Sequence, residues 1–155
     1  IFAESFSWLA GIVSKYQTNA ANGYMLRLTS QAPYTGIGFD EVVTANGVLT
    51  GNQWHHIAAV ATKKNLRVYL DGEAAEGGGP GPHGSSEFNV NIGGCGIWDA
   101  GGNWFTGAMD EVAIFHSALE DADIKAIMDN GFSNLLAVAA KGKLPVYWSE
   151  LKRKK

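Results

Sequence analysis

Cysteine is almost missing from this chain of 155 residues: Cys95 stands alone, so no internal disulfide can form. Within Gly93-Gly94-Cys95-Gly96 the thiol is expected to be a small buried filler, as unpaired cysteines usually are. Charge is scarce as well. Charged residues make up 17% of the chain against 46% hydrophobic, which excludes a disordered polypeptide. Basic residues are few in the body, where residues 1–140 hold six against fourteen acidic ones, a net of −8. Nucleic acid is thereby excluded as a partner, because phosphate binding needs a basic face; bound cations are compatible with such a body. The other six basic residues are Lys141, Lys143, Lys152, Arg153, Lys154 and Lys155. They read as a solvated, frayed terminus or as a contact with an anionic surface. No apolar run reaches the roughly 18–20 residues of a membrane span, and no signal peptide opens the chain. Ile1-Phe2-Ala3-Glu4 is expected to be a processed or excised boundary.

Helical periodicity is also rare; alternation takes its place. Tyr24, Leu26 and Leu28 fall on one strand face with Arg27 on the other. Further strands are expected at Ile37-Gly38-Phe39, at Glu41-Val42-Val43 and over residues 55–62. In residues 66–71, Leu66, Val68 and Leu70 alternate with Arg67 and Tyr69. Phe88, Val90 and Ile92 alternate with Asn89 and Asn91, and Val112 and Ile114 with Glu111, Ala113 and Phe115. Among the 20 glycines, those of Asn22-Gly23, Asn46-Gly47 and Asp71-Gly72 supply the positive φ of tight hairpins. Lys63-Lys64-Asn65 is another hairpin-length gap. Residues 77–86, rich in glycine and proline, are expected to form a surface loop with no ladder.

One helix is expected. Glu120, Asp121 and Asp123 crowd its start, Ile124, Ile127 and Met128 make its apolar stripe, and Gly131 ends it. Many strands with one late helix make an all-β, antiparallel two-sheet sandwich.

Four blocks carry a resemblance. Gly51-Asn52-Gln53-Trp54-His55-His56-Ile57-Ala58, then Leu66 to Gly72, is similar to the W-H-H-V-A … L-Y-V-D-G core of laminin-G-like, concanavalin A-like jelly rolls. Phe88 to Gly94 resembles the next strand of that family, and Phe105 to Phe115 its F-x-G-x-I-D-E-V-x-I-Y block. Ser117-Ala118-Leu119 leading into Ile124 resembles its closing helix start. The resemblance covers roughly residues 8–131 and implies a jelly roll. It implies a domain over 1–132, with abbreviated N-terminal strands, and leaves 133–155 as an extension in which 135–138 add a strand before the basic tail. The fold hosts both binding proteins and glycosidases, so function must come from sites.

No acid pair reads as catalytic. Retaining glycosidases hold two carboxyls about 5–5.5 Å apart, whereas Asp40-Glu41 and Asp110-Glu111 would point to opposite faces within strands. No nucleophile motif or phosphate loop is present, and the expectation is no enzyme. His55 and His56 would lie on opposite strand faces and so not share one ion; the resemblance implies that the pair is structural and follows a buried Trp54, and Trp8 is expected to be buried as well. Calcium wants several oxygens, and the resemblance implies Asp110 as a ligand; the other reading of Asp110 is a strand-start acceptor of backbone hydrogen bonds. Asp99 with Asn103 is a weaker cation site. Sugars dock on aromatic rings with a few polar groups alongside. Trp98 and Trp104, around Asn103, could line such a rim; Trp98 stands open, and Trp104 is expected to plug the core with Phe105. Arg27, Arg67, Tyr69, Asn89, Asn91 and Glu111 share a polar parity that is either a ligand face or an ordinary solvated one. The expected function is a secreted or cell-surface module that recognises glycan or matrix polymer. The alternative is an adhesion or spacer module that contacts neighbouring protein domains.

Overall fold

The computed structural model describes residues 1–7, 10–15, 23–31, 34–39, 43–45, 48–78, 89–94 and 103–132. Two compact units divide the chain, Ile1–Ala118 and Leu119–Lys155. In the first unit the strands are β1 Phe2–Ser5, β2 Gly11–Lys15, β3 Tyr24–Gln31, β4 Tyr34–Phe39 and β5 Val43–Thr44, followed by β6 Ile57–Ala61, β7 Asn65–Leu70, β8 Glu73–Gly78, β9 Asn91–Ile92 and β10 Thr106–Ala108. They form a five-stranded sheet in the order β5-β4-β3-β2-β9, a three-stranded sheet β6-β7-β8, and a ribbon β1-β10. Every pairing is antiparallel. The fold is therefore mostly β, consistent with a jelly-roll sandwich.

The two larger sheets meet through β4 and β5 against β7 and β8. Between them lies a core of Ala10, Ile12, Leu26, Leu28, Ala45, Leu49, Leu66, Val68 and Leu70. Alternation explains it: Leu66, Val68 and Leu70 share one face of β7, and Leu26 and Leu28 one face of β3. Each fully buried leucine or valine contributes about 1.5–3 kcal/mol. Turn chemistry closes the hairpins. Asp71 and Gly72 both take positive φ, 50° and 82°, as a two-residue turn between β7 and β8 requires. The 62–65 turn is tied by Thr62, whose N–H donates to the Asn65 carbonyl at 2.9 Å.

The structure departs from four expectations. The opposite faces of β3 and β7 are not solvated: Met25, Arg27 and Tyr69 are buried on the central strands of their sheets. The parity of residues 90–92 is inverted. The register Val13↔Ile92 and Ser14↔Asn91 puts Asn91 beside the buried Ser14, leaving Val90 and Ile92 exposed, and a one-residue shift moves every side chain to the other face. Gly77 and Gly78 do hold a ladder, opposite Leu66 and Asn65, because β8 follows its hairpin partner to the end. Finally, 110–115 is not a strand. The β10 strand ends at Ala108, Glu111 has φ 48°, and residues 110–118 are all exposed. A positive φ in a non-glycine residue breaks the extended run that the alternation promised.

In the second unit, α1 spans Asp121–Asn130. The Asp123 carboxylate accepts the Glu120 N–H at 3.2 Å, and Gly131, at φ 66°, donates its N–H to the Ile127 carbonyl at 2.7 Å. Ile124 and Ile127 are buried and Met128 is half-buried. The expected start, stripe and stop are all present. The expected closing strand at 135–138, the basic tail, Cys95 and Trp8 lie outside the described residues.

Candidate functional site

Two neighbourhoods combine polar groups with exposed rings, and a third is apolar. The first is built on the β6–β7 hairpin. Its register, Ile57↔Leu70, brings the residues before β6 alongside the turn after β7. His55 is buried, and its Nδ1 lies 2.6 Å from Asp71 Oδ2. The other oxygen of Asp71 accepts the His56 N–H at 2.9 Å. With Nδ1–H donating to the carboxylate, Nε2 is an acceptor. It faces Thr50 Oγ1 at 2.9 Å, the Thr50 N–H at 3.3 Å and Gln53 Nε2 at 3.0 Å, and the Gln53 amide also donates to Thr50 Oγ1. A hydroxyl, an imidazole and a carboxylate in line have the spacing of a nucleophile and its base. Here, however, the imidazole nitrogen is enclosed by one loop, facing the Thr50 hydroxyl, N–H and carbonyl oxygen (3.1 Å) and the Gln53 amide, so the cluster clamps the 50–55 loop to the hairpin. His56 is half-buried; its Nδ1 is buried with no hydrogen-bond partner among the described residues. Burial lowers its pKa below the ordinary histidine value, with the Asp71 charge opposing that shift.

The clamped loop also holds the β1–β10 ribbon. The Asn52 N–H donates to the Ala3 carbonyl at 2.8 Å, His55 N–H donates to the Ile1 carbonyl at 2.8 Å, and Phe2 pairs with Trp54. Trp54 was expected in the core; it is 57% exposed, its ring tilted on Phe2 with centroids 5.8 Å apart. An edge pairing with β1 turns its side chain outward. Sequence reasoning therefore missed Trp54, and missed Thr50, Gln53 and Asp71 as partners of His55. The hairpin spacing between His56 and Asp71 was the signal for the last of these.

The second neighbourhood is the corner where β9 meets residues 103–105. The Gly11 N–H donates to the Asn103 carbonyl at 3.0 Å, and the Phe105 N–H to the Gly93 carbonyl at 3.0 Å. Ser14, fully buried, donates from Oγ to the Gly94 carbonyl at 2.8 Å. Gly94 is thus fixed, and Trp104 lies across it: a Cβ at Gly94 would meet the indole Cζ3 at 2.8 Å. The expectation of a core plug fails, since Trp104 is 63% exposed. The glycine lets the ring come close to backbone without being enclosed. Asn91, half-buried, donates from Nδ2 to the Asn89 carbonyl at 3.2 Å.

The remaining candidates separate. Arg27 is 5% exposed, with Nη1 3.9 Å from Met25 Sδ, and Tyr69 is buried; neither can meet a ligand at the surface. Arg67 is half-buried and stacks over the Tyr69 ring at 5.9 Å. Asp110 is exposed, and its Oδ1 accepts the N–H of the next residue, Glu111, at 2.8 Å. Because 110–111 is not strand, the opposite-faces argument does not apply to that pair. Among the described residues no three His, Cys, Asp or Glu side chains converge on a cation position, so a calcium ion at Asp110 would draw its other oxygens from backbone carbonyls. Trp98, Asp99 and the Asp40-Glu41 pair lie outside the described residues. The third neighbourhood is apolar: Val112, Ile114 and Phe115 are exposed in the segment after β10.

Antiparallel sheets with a late helix and ring-bearing surface corners define a lectin-like sandwich. The family model of the concanavalin A-like lectin/glucanase superfamily, in its laminin-G form, matches residues 4–125, and the chain belongs to that family. A comparison with curated proteins finds no match. The family's own description names both carbohydrate binding and glucan hydrolysis, so membership suggests a carbohydrate-binding or structural module. Among the described residues, no helix is long and apolar enough to cross a membrane.

Proposed function

We propose that this chain is a non-catalytic, extracellular recognition module that binds glycan or matrix polymer through Trp104. The observation that carries the reading is the Trp104 indole, 63% exposed and seated on the backbone of Gly94. The ring is broad, open to water and held against backbone. It offers the flat apolar surface on which the CH face of a sugar ring stacks, with Asn91 and Asn103 as nearby polar groups for orientation. Gly94 is anchored by Ser14 from below, so the platform is preorganised and little ordering entropy is lost on binding. The acidic body disfavours anionic polymers and leaves neutral glycans.

Tryptophan fluorescence tests the reading. Oligosaccharides that bind should shift or quench the emission of the wild-type chain, and Trp104→Ala should lose most of that change while keeping its fold. An unchanged response in Trp104→Ala would refute it. Calcium belongs to the same reading through Asp110, as a structural ion. Millimolar calcium should raise the thermal midpoint, and Asp110→Ala should abolish the rise.

A second reading, contact with a neighbouring protein domain, is favoured by one observation: Val112, Ile114 and Phe115 lie exposed together along the chain. Concentration-dependent association that Ile114→Ser removes would favour it over sugar recognition.

A further inference from the structure

The loop clamped by His55 carries a second set of exposed rings that the Trp104 site does not use. Trp54 and Phe6 are 57% and 41% exposed. Each is supported from behind: Trp54 tilts on Phe2, and Phe6 lies against Gly51, where a Cβ would be 3.4 Å from its ring. Between these two rings along the loop stand the exposed amides of Asn52 and Gln53. The Gln53 amide nitrogen is held by Thr50 and His55, so its carbonyl oxygen is the end left for an outside donor. Asn52 is fixed by its backbone, at φ 59° with its N–H on the Ala3 carbonyl, and its side-chain amide makes no hydrogen bond among the described residues. Residues 48–54 contain no charged side chain, and the neighbouring exposed residue on β1 is the acid Glu4.

We propose that Trp54, Phe6, Asn52 and Gln53 form a second platform for a neutral glycan, distinct from Trp104, so that one module grips a polymer at two places. The inference rests on the sugar-binding reading of the chain. Stacking rings supply apolar area, and the two amides supply a donor and an acceptor for sugar hydroxyls. A loop without charged side chains matches a neutral ligand. Among neutral sugars, β-linked glucose, with its substituents equatorial and a flat face of axial hydrogens, is the class proposed here to stack on these rings. Two weak sites on one chain of polymer act together by raised effective concentration.

The test uses the full chain in native gels containing soluble mixed-linkage β-glucan, with a sulfated glucan as the charged control. Wild type should be retarded by the neutral polymer. Trp54→Ala and Trp104→Ala should each weaken the retardation about tenfold in apparent affinity, and the double variant should abolish it. Trp54→Phe and Gln53→Ala, with circular dichroism and thermal unfolding, guard against loss of fold: Trp54→Phe should keep most binding, and Gln53→Ala should lower it without changing the sheet signal. Retardation unchanged in Trp54→Ala but lost in Trp104→Ala would overturn the second platform and leave the first. Loss in Trp54→Ala alone would uphold the second and remove Trp104. A sedimentation coefficient that rises with concentration in wild type but not in Trp54→Ala would assign the face to a second copy of the chain and overturn the proposal.

Discussion

Asp71 and Asp110 occupy comparable places in sequence, each inside a block shared with the family, yet the structure uses them very differently. Asp71 sits at a hairpin turn, where antiparallel register delivers His55 and His56 to its two oxygens. Through His55 it also reaches Thr50 and Gln53, and so holds the loop that the β1–β10 ribbon rests on. Asp110 follows a three-residue strand, and among the described residues its hydrogen bond goes no further than the next residue. The lesson is that a carboxylate's weight comes from what the topology brings to it. The residues around Asp71 are buried or clamped; those around Asp110 are exposed from 110 to 118.

The contrast can be broken at either end. Asp71→Ala should cost most, about 3 kcal/mol in urea unfolding. It strands the buried His55 Nδ1 and removes hydrogen bonds to a charged group, each about 1.5–3 kcal/mol before allowance for partial exposure. It also places alanine at positive φ, about 1 kcal/mol more. Asp71→Asn should cost about half as much, since asparagine tolerates that φ and keeps an acceptor. A loss below about 0.5 kcal/mol for Asp71→Ala would show that the clamp carries no stability.

Gly107→Ala comes next, at about 1–3 kcal/mol. Gly107 has φ 146°, and a Cβ there would run into the Phe2 carbonyl oxygen across the β1–β10 ribbon. Hydrogen exchange should show faster exchange in β1 and in residues 52–55, with the β6–β7 hairpin unaffected. Uniform protection in the variant would contradict the reading of the ribbon as tied to that loop.

A pH dependence follows from His56. Its folded pKa is depressed by burial, so the unfolded chain binds its proton more readily. The neutral form's stabilisation is complete above the unfolded value of about 6.5 and is lost as pH falls below it, through the folded value. The thermal midpoint should therefore decline as pH falls below about 6.5, and His56→Gln should flatten that decline. An equal slope in the variant would place the effect elsewhere. The smallest effect is at Asp110: in the absence of calcium, Asp110→Ala should stay within about 0.5 kcal/mol of wild type.

Much of the framework could be read from the residues, and the reasons are local. Leu66, Val68 and Leu70 alternate, Asp71-Gly72 demands a tight turn, and Glu120 to Gly131 carries its own start and stop. These signals need no partner elsewhere. What failed depended on pairing. Asn91 faces Ser14 because β9 meets β2 in a register that alternation alone does not choose. Val112 and Ile114 alternate, but alternation does not make a strand without a neighbour, and Glu111 takes a conformation that interrupts it. Trp54 and Trp104 were expected inside because large aromatic residues usually are. Both are exposed because each lies against backbone or an edge ring instead of another sheet. Arg27 and Tyr69 show the converse, polar-parity residues enclosed on the central strands of their sheets.

The central claim, sugar recognition on an open indole, is tested most directly by calorimetric titration of the full chain with a β-glucan oligosaccharide. Gly94→Ala serves as the decisive variant, because it pushes the Trp104 ring without removing it. Heat of binding in wild type, with an apparent affinity about tenfold weaker in Gly94→Ala and Trp104→Ala and thermal midpoints preserved, is the predicted result. Equal heats in all three proteins, or none in the wild type across neutral glucans, would contradict the account.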